Sequence, residues 1–262
     1  YSRIMEKRNF RKVNFYKESK PEPKELVFGI RSIEETLKSG KEFEKVFFEK
    51  GQPNLHELLQ EVKKRNIPYS LVPAEKLNSL TRKNHQGVVA FTSPINYSKI
   101  DNIVIRCFEE GKSPLILILD RVTDVRNFGA IARTAECAGV DAIVVPSKGS
   151  ALISADALKT SSGALNYIPV CREDNLKDTL TYLKDSGLQI IACTEKSDDY
   201  PYKTDFKAPT AIILGSEEDG ISPEYLKKAD KKVKIPLYGQ VESLNVSVAA
   251  AVVIYEAVRQ RL

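Results

Sequence analysis

Five polar residues have types and spacings that could do chemistry. In the stretch LDRVTDVRNFGAIAR, residues 119–133, a polar loop leaves an apolar run, and Asn127 and Arg133 follow on what reads as a helix. In IILGSEEDG, residues 212–220, an apolar run ends at Gly215, and Glu217 projects from a carboxylate cluster closed by Gly220. In IPLYGQVESLNVS, residues 235–247, Ser243 and Asn245 stand at the start of the last helix. A guanidinium binds a phosphate bidentately and stays charged. Helix N-termini offer free N–H groups and favour anions. Loops at the carboxyl ends of strands in an open α/β sheet form its binding crevice. Each residue also has a purely structural use. Asn127, Ser243 and Asn245 suit helix N-caps. Arg133 could pair with Glu136 one turn on, and the Glu217 cluster could cap a helix near Ser222.

The absences narrow the chemistry. The two histidines, His56 and His85, leave everything after residue 85 without imidazole, which excludes a Ser-His-Asp triad or a histidine metal site there. Cys107, Cys137, Cys171 and Cys193 stand far apart with no CxxC, which argues against a zinc site or disulfide framework and fits a reducing cytoplasm. No metal is expected. No two glycines are spaced as GxG, so the dinucleotide and P-loop signatures are both missing.

The elements that must position these residues fall into two alternations. Helices are expected at 30–39, 55–65 (capped by Asn54) and 74–80, with strands at 45–48, 69–72 and 88–92. This makes a small α/β domain over residues 25–93. Residues 94–113 read as a connector holding a helix at 100–110. From residue 114 to 262 strands are expected at 115–119, 142–145, 168–171, 189–193, 211–214 and 232–235. Helices alternate with them at 127–138, 154–160, 176–185, 222–229 and 245–259. The run LILIL at 115–119 is apolar throughout, as a strand buried on both faces should be. Strands alternating with helices imply a parallel sheet covered on both faces.

Of the 262 residues, 40 are basic and 35 acidic, a net charge of +5. Residues 1–24 alone hold eight basic and three acidic residues, so the whole excess is a tail, with Phe10, Phe15 and Tyr16 among its cations. Cations that neutralise phosphates and aromatics that stack on bases suit a nucleic-acid arm; a solvated leader is the plain alternative. The start lacks a signal peptide's apolar stretch, and no apolar run is long enough for a membrane helix.

Together, NFGAIARTAECAGV, LGSEEDGIS and IPLYGQVESLNVSVAAAVVIYEAVR resemble, in order and spacing, the three motifs of the SpoU/TrmH family of RNA ribose 2′-O-methyltransferases. The likeness runs from about residue 115 to 262. LVFGIRSIEETL and NHQGVVAF resemble, more loosely, the L30e-like RNA-binding domain of the RlmB-type branch, which modifies a guanosine of 23S rRNA. Val125–Arg126 depart from the family, which often has Pro and a polar residue there.

The resemblance implies a knotted (SPOUT) α/β domain with a deep trefoil, S-adenosylmethionine as methyl donor, and a homodimer built on the domain's first and last helices. It also implies roles. Arg133 would contact the RNA phosphate and help activate the 2′-hydroxyl. Asn127 and Asn245 would orient the ribose or Arg133. Glu217 would hold that arginine or accept a proton, and Ser243 would bond substrate or pocket backbone. Thr194, Leu214, Gly215, Ile235, Leu237 and Leu244 match the cofactor positions. A tRNA ribose methyltransferase of the same family, or a non-catalytic RNA-binding or ribosome-assembly protein on this scaffold, are the alternative readings.

Overall fold

The computed structural model describes residues 26–262. The basic tail, with its reading as an RNA arm, lies outside them. The first layer is a four-stranded sheet of β1 (Leu26–Phe28), β2 (Phe43–Glu49), β3 (Tyr69–Val72) and β4 (Val88–Thr92), ordered β1-β4-β2-β3. β2 and β3 run parallel, and β4 is antiparallel to both β1 and β2. Helices α1 (Ile30–Lys38) and α2 (His56–Lys64) set Ile33, Leu37, Leu58 and Val62 against Val46, Phe48, Val88 and Ala90. Helix α3 (Ala74–Leu80) buries Leu77. Asn54 does not cap α2. It sits inside a tight turn, Pro53–Leu55, that leads into the helix, so Leu55 takes the cap position and no side chain accepts there.

The second layer is a six-stranded sheet whose pairings are all parallel: β5 (Leu115–Leu119), β6 (Ala142–Pro146), β7 (Val170–Glu173), β8 (Gln189–Cys193), β9 (Thr210–Leu214) and β10 (Lys231–Val233). Their order is β10-β8-β9-β5-β6-β7. Alternate strand residues serve opposite faces, and both are buried. Leu115, Leu117 and Leu119 join the core under α5 (Val125–Cys137), α6 (Ala155–Thr160) and α9 (Val246–Arg261). Ile116 and Ile118 join the core under α4 (Ile100–Glu109) and α7 (Leu176–Asp185), with α8 (Pro223–Lys228) at its margin. This is why β5 carries no polar residue.

One feature departs from the sequence reading. The stretch 94–113, read as a connector, is built into this second layer. Ile95 enters the first of these cores, and Ile100, Ile103, Val104 and Cys107 of α4 enter the other. The two layers are also locked together. Glu44 of β2, 5% exposed, accepts from the Tyr97 hydroxyl at 2.6 Å and from the Ile153 N–H at 3.2 Å. Arg172 of β7 lies over the Tyr97 ring, 4.0 Å from its centroid, and donates to the Phe43 carbonyl at 3.0 Å. A buried carboxylate must find such partners, or its desolvation goes unrepaid.

The topology fixes where ligands can enter. From β5 the chain moves outward through β6 and β7, then crosses back to β8, β9 and β10 on the other side. Loops leaving the adjacent carboxyl ends of β5 and β9 therefore diverge and leave a crevice between them. Among the described residues no helix is long and apolar enough to cross a membrane.

Candidate active site

The crevice is a cleft of about 280 Å³. Its walls are the loop after β5 with the first turn of α5, the loop after β9, and the start of α9: Val122, Asp124, Asn127, Ser216, Glu217 and Val246 are among its lining.

Asn127 is not the helix cap. Helix α5 starts earlier, at Val125, and the Asp124 carboxylate accepts from the Asn127 backbone N–H at 2.8 Å. Val125 takes the first helical position, where the family's proline would have been equally suited. With Asp124 as cap, the Asn127 amide is free for other work. Its Nδ2 donates to Glu217 Oε1 at 2.8 Å. Asn245 does cap α9, accepting from the Ser247 N–H at 2.9 Å. Its Nδ2 meanwhile donates to Asn127 Oδ1 at 3.0 Å and to Glu217 Oε1 at 2.8 Å. Three residues far apart in sequence thus close a triangle of hydrogen bonds. Glu217, which lines the cleft, takes both amide donors on Oε1, and its Oε2 accepts no hydrogen bond among the described residues. The acidic turn does not cap the following helix: the Ser222 N–H is taken by Asp120 at 2.6 Å instead.

Arg133 and Ser243 stand apart from this triangle. Six residues on from Asn127, Arg133 lies about 9 Å along α5 and about 120° around it. It is exposed and makes no ion pair among the described residues, so the anticipated pair with Glu136 does not form. Ser243 is exposed in the loop before α9 and makes no hydrogen bond among the described residues.

The anticipated cofactor positions lie at the ends of three neighbouring strands. Thr194 follows β8, Leu214 and Gly215 end β9, and Ile235 lies just past β10. Leu237 and Leu244 are exposed apolar side chains in the irregular segment between β10 and α9. Apolar side chains with main-chain groups beside them at strand ends fit an adenine, whose faces are apolar and whose edge needs donors and acceptors. Gly215 has a stricter duty. A Cβ there would lie 2.0 Å from the backbone carbon of Gly220, so only glycine lets the turn fold on itself. Cys193, beside Thr194, is pushed up to about 12 by burial, so its thiol stays protonated.

Sequence reasoning missed Asp120, Arg121 and Asp124. Asp124 had a legible signal, an acidic residue just before a helix. The other two had none, because their partners lie about a hundred residues away.

A parallel α/β sheet with a polar triangle at its strand-order reversal and apolar strand-end loops beside it defines a ligand-binding α/β domain. Comparison with known proteins makes this specific. Residues 114–255 match the SpoU rRNA Methylase family, and residues 26–98 match the RNA 2′-O ribose methyltransferase substrate binding domain. A protein of Staphylococcus saprophyticus, assigned to the TrmH family of tRNA/rRNA methyltransferases, is 36% identical over 241 residues, covering 90% of this chain and 96% of its own. The SpoU methyltransferase AviRb of Streptomyces viridochromogenes, in complex with AdoMet, aligns with a TM-score of 0.58 at 26% identity, covering 90% of both chains. A solved RNA 2′-O ribose methyltransferase aligns with a TM-score of 0.54 at 28% identity, over 90% of this chain and 88% of that one. The chain belongs to the SpoU family. It is an S-adenosylmethionine-dependent RNA ribose 2′-O-methyltransferase with an N-terminal substrate-binding domain.

Proposed function

We propose that this enzyme methylates the ribose 2′-hydroxyl of a guanosine in 23S rRNA. The observation that carries the site reading is the Asn127–Glu217–Asn245 triangle, two members of which line the cleft. S-adenosylmethionine, when bound, supplies a methyl group on a sulfonium. The chain's own residues do the rest. Thr194, Leu214, Gly215, Ile235, Leu237 and Leu244 hold the cofactor, largely through main-chain groups and apolar contact. Asn127 and Asn245 fix the Glu217 carboxylate, whose free Oε2 accepts the proton of the ribose 2′-hydroxyl. A weak nucleophile needs such activation, and holding the hydroxyl in line supplies much of the rate. Arg133 binds the substrate phosphate, and Ser243 bonds substrate.

Arg133 is exposed and does not line the cleft that holds Asn127 and Glu217. We therefore propose a homodimer in which Arg133 of one protomer serves the cleft of the other. Support comes from α9, where Val248, Val252 and Tyr255 form an exposed apolar stripe at helical spacing. A second proposal is the family's trefoil knot. It is supported by the chain's return from the β10 edge to pack α9 on α5, as Ala250 and Val253 share a core with Phe128 and Ile131. The basic tail would add phosphate contacts, and the chain would work in the cytoplasm.

The test is transfer of labelled methyl to naked 23S rRNA and to tRNA, with mapping of 2′-O-methylation. Label at one 23S guanosine is the expected result. Label confined to tRNA overturns the substrate. No label in either RNA or in pre-ribosomal particles would favour an RNA-binding protein without turnover. Mixing Asn127→Ala and Arg133→Ala protomers tests the shared site: activity returns only if the two residues act across the dimer.

A further inference from the structure

We propose that Arg121 is a positioning residue, a clamp that sets the loop after β9 and so aims Glu217. This rests on the reading of Glu217 given above.

Arg121 lies just past β5 with a backbone φ of 58°, in the left-handed region that disfavours any residue with a Cβ. Glycine would sit there freely. A strained residue persists only where its surroundings over-determine it, and such residues gather at functional sites. Here the surroundings are three acceptors. The guanidinium donates to Asp120 Oδ1 at 3.2 Å, Asp219 Oδ2 at 2.8 Å and the Gly220 carbonyl at 3.2 Å. Asp120, 2% exposed, completes the grip, since its other oxygen accepts from the Ser222 N–H.

The two residues that follow β5 therefore hold the loop after β9 from Asp219 to Ser222, and the Asp120 N–H donates to the Leu214 carbonyl at 2.8 Å before the turn. Within the loop, the Gly220 N–H donates to the Ser216 carbonyl at 3.0 Å, and the lack of a Cβ on Gly215 lets the two limbs touch. Glu217 sits between these fixed points, so its aim at Asn127 and Asn245 depends on them. Charge points the same way. Asp124, Glu217, Glu218 and Asp219 line the cleft, and Arg121 is the one cation lining it among the described residues. A loop of three consecutive carboxylates repels itself, and a fixed guanidinium offsets that while making the cleft less hostile to a phosphate.

The test begins with Arg121→Gly, which removes the clamp and relieves the backbone. Expected are a Tm that changes little, since backbone relief opposes the lost contacts, a kcat lower by about tenfold or more as the loop loses its charge-assisted hold, and weaker S-adenosylmethionine binding in calorimetry, because the same loop starts at Gly215. Arg121→Lys keeps the charge but cannot span three acceptors, so it should rescue only in part. Asp219→Asn should move binding the same way, and the Arg121→Gly/Asp219→Asn double variant should be no worse than Arg121→Gly. Wild-type binding and turnover in Arg121→Gly, or full additivity in the double variant, would overturn the proposal. If Arg121→Gly does not fold, Asp219→Asn carries the test, since it leaves the residue 121 backbone untouched. Glu217→Gln separates the two readings: normal turnover there, with weak cofactor binding in Arg121→Gly, would sink the Glu217 role and leave the clamp standing.

Discussion

Asn245 holds two jobs in one side chain, and they can be separated. Its Oδ1 caps α9, while its Nδ2 bridges Asn127 and Glu217. Asn245→Ala removes both. The cap contributes about 1 kcal/mol. The two bridging bonds are exposed, so they add at most about 1 kcal/mol each. The loss should be about 2–3 kcal/mol, or roughly 5–10 °C in Tm for a chain of this size. Asn245→Ser keeps a good cap and loses only the bridge. Its Tm should therefore stay roughly 2–4 °C above that of Asn245→Ala, the equivalent of about 1 kcal/mol. Turnover should not follow stability. Both variants leave the Glu217 carboxylate held by Asn127 alone, and misplacing it by one hydrogen bond's worth of energy lowers kcat/KM by about tenfold. The assay pairs thermal unfolding by circular dichroism with labelled methyl transfer to the accepted RNA. Equal activity losses with unequal Tm losses support the triangle as a catalytic device. Wild-type turnover in Asn245→Ser, or activity falling only in step with Tm, would refute the reasoning.

Gly215→Ala should break the turn after β9. Its Cβ meets Gly220 backbone at 2.0 Å, and backbone cannot yield cheaply. Overpacking of this kind costs about 1–3 kcal/mol or more, and cofactor titration should show affinity lost with the turn. Glu44 should leave a mark on the pH dependence of stability. Burial raises its carboxyl above the ordinary range, outweighing the Tyr97 and Ser93 hydrogen bonds, the Arg172 charge and the Ile153 N–H. The folded state thus binds this proton more tightly than the unfolded one. The stabilisation is complete below the ordinary carboxylate pKa and is lost as pH rises through the raised value. Glu44→Gln, which cannot titrate, should flatten that part of the profile in denaturant unfolding measured from acid to neutral pH. An unchanged slope would place the titration elsewhere.

Much of the fold is legible in the residues alone. LILIL at 115–119 reads as a strand covered on both faces, and it is one. The strands at 69–72, 88–92 and 189–193 lie where their apolar and β-branched residues put them. Boundaries slip where the deciding group is a neighbour. Asp124, not Asn127, begins α5, because a carboxylate three positions before the expected start reaches the helix N–H groups. Asn54 loses its cap because Pro53 opens a tight turn first. The stretch 94–113 resembles a connector because Pro94, Gly111 and Pro114 set its one helix off from both alternations. Its apolar residues give no sign of which sheet they will cover.

By itself, then, the sequence determined the chemistry available: an arginine, two asparagines, a carboxylate and a serine in three motifs, with no imidazole near them. It also determined the alternation that makes a parallel sheet, since burial on both faces demands unbroken apolar strands. Only the tertiary structure decided which of these residues meet. Hydrogen bonds act over about 3 Å, and the pairs that matter, Asn127 with Glu217 and Asn245 with Asn127, are 90 and 118 positions apart. Strand order brings β5 beside β9 and α9 beside α5, and no local pattern encodes that order. The same geometry left Arg133 exposed outside the triangle and put Arg121, which had no signal of its own, against the loop that carries Glu217.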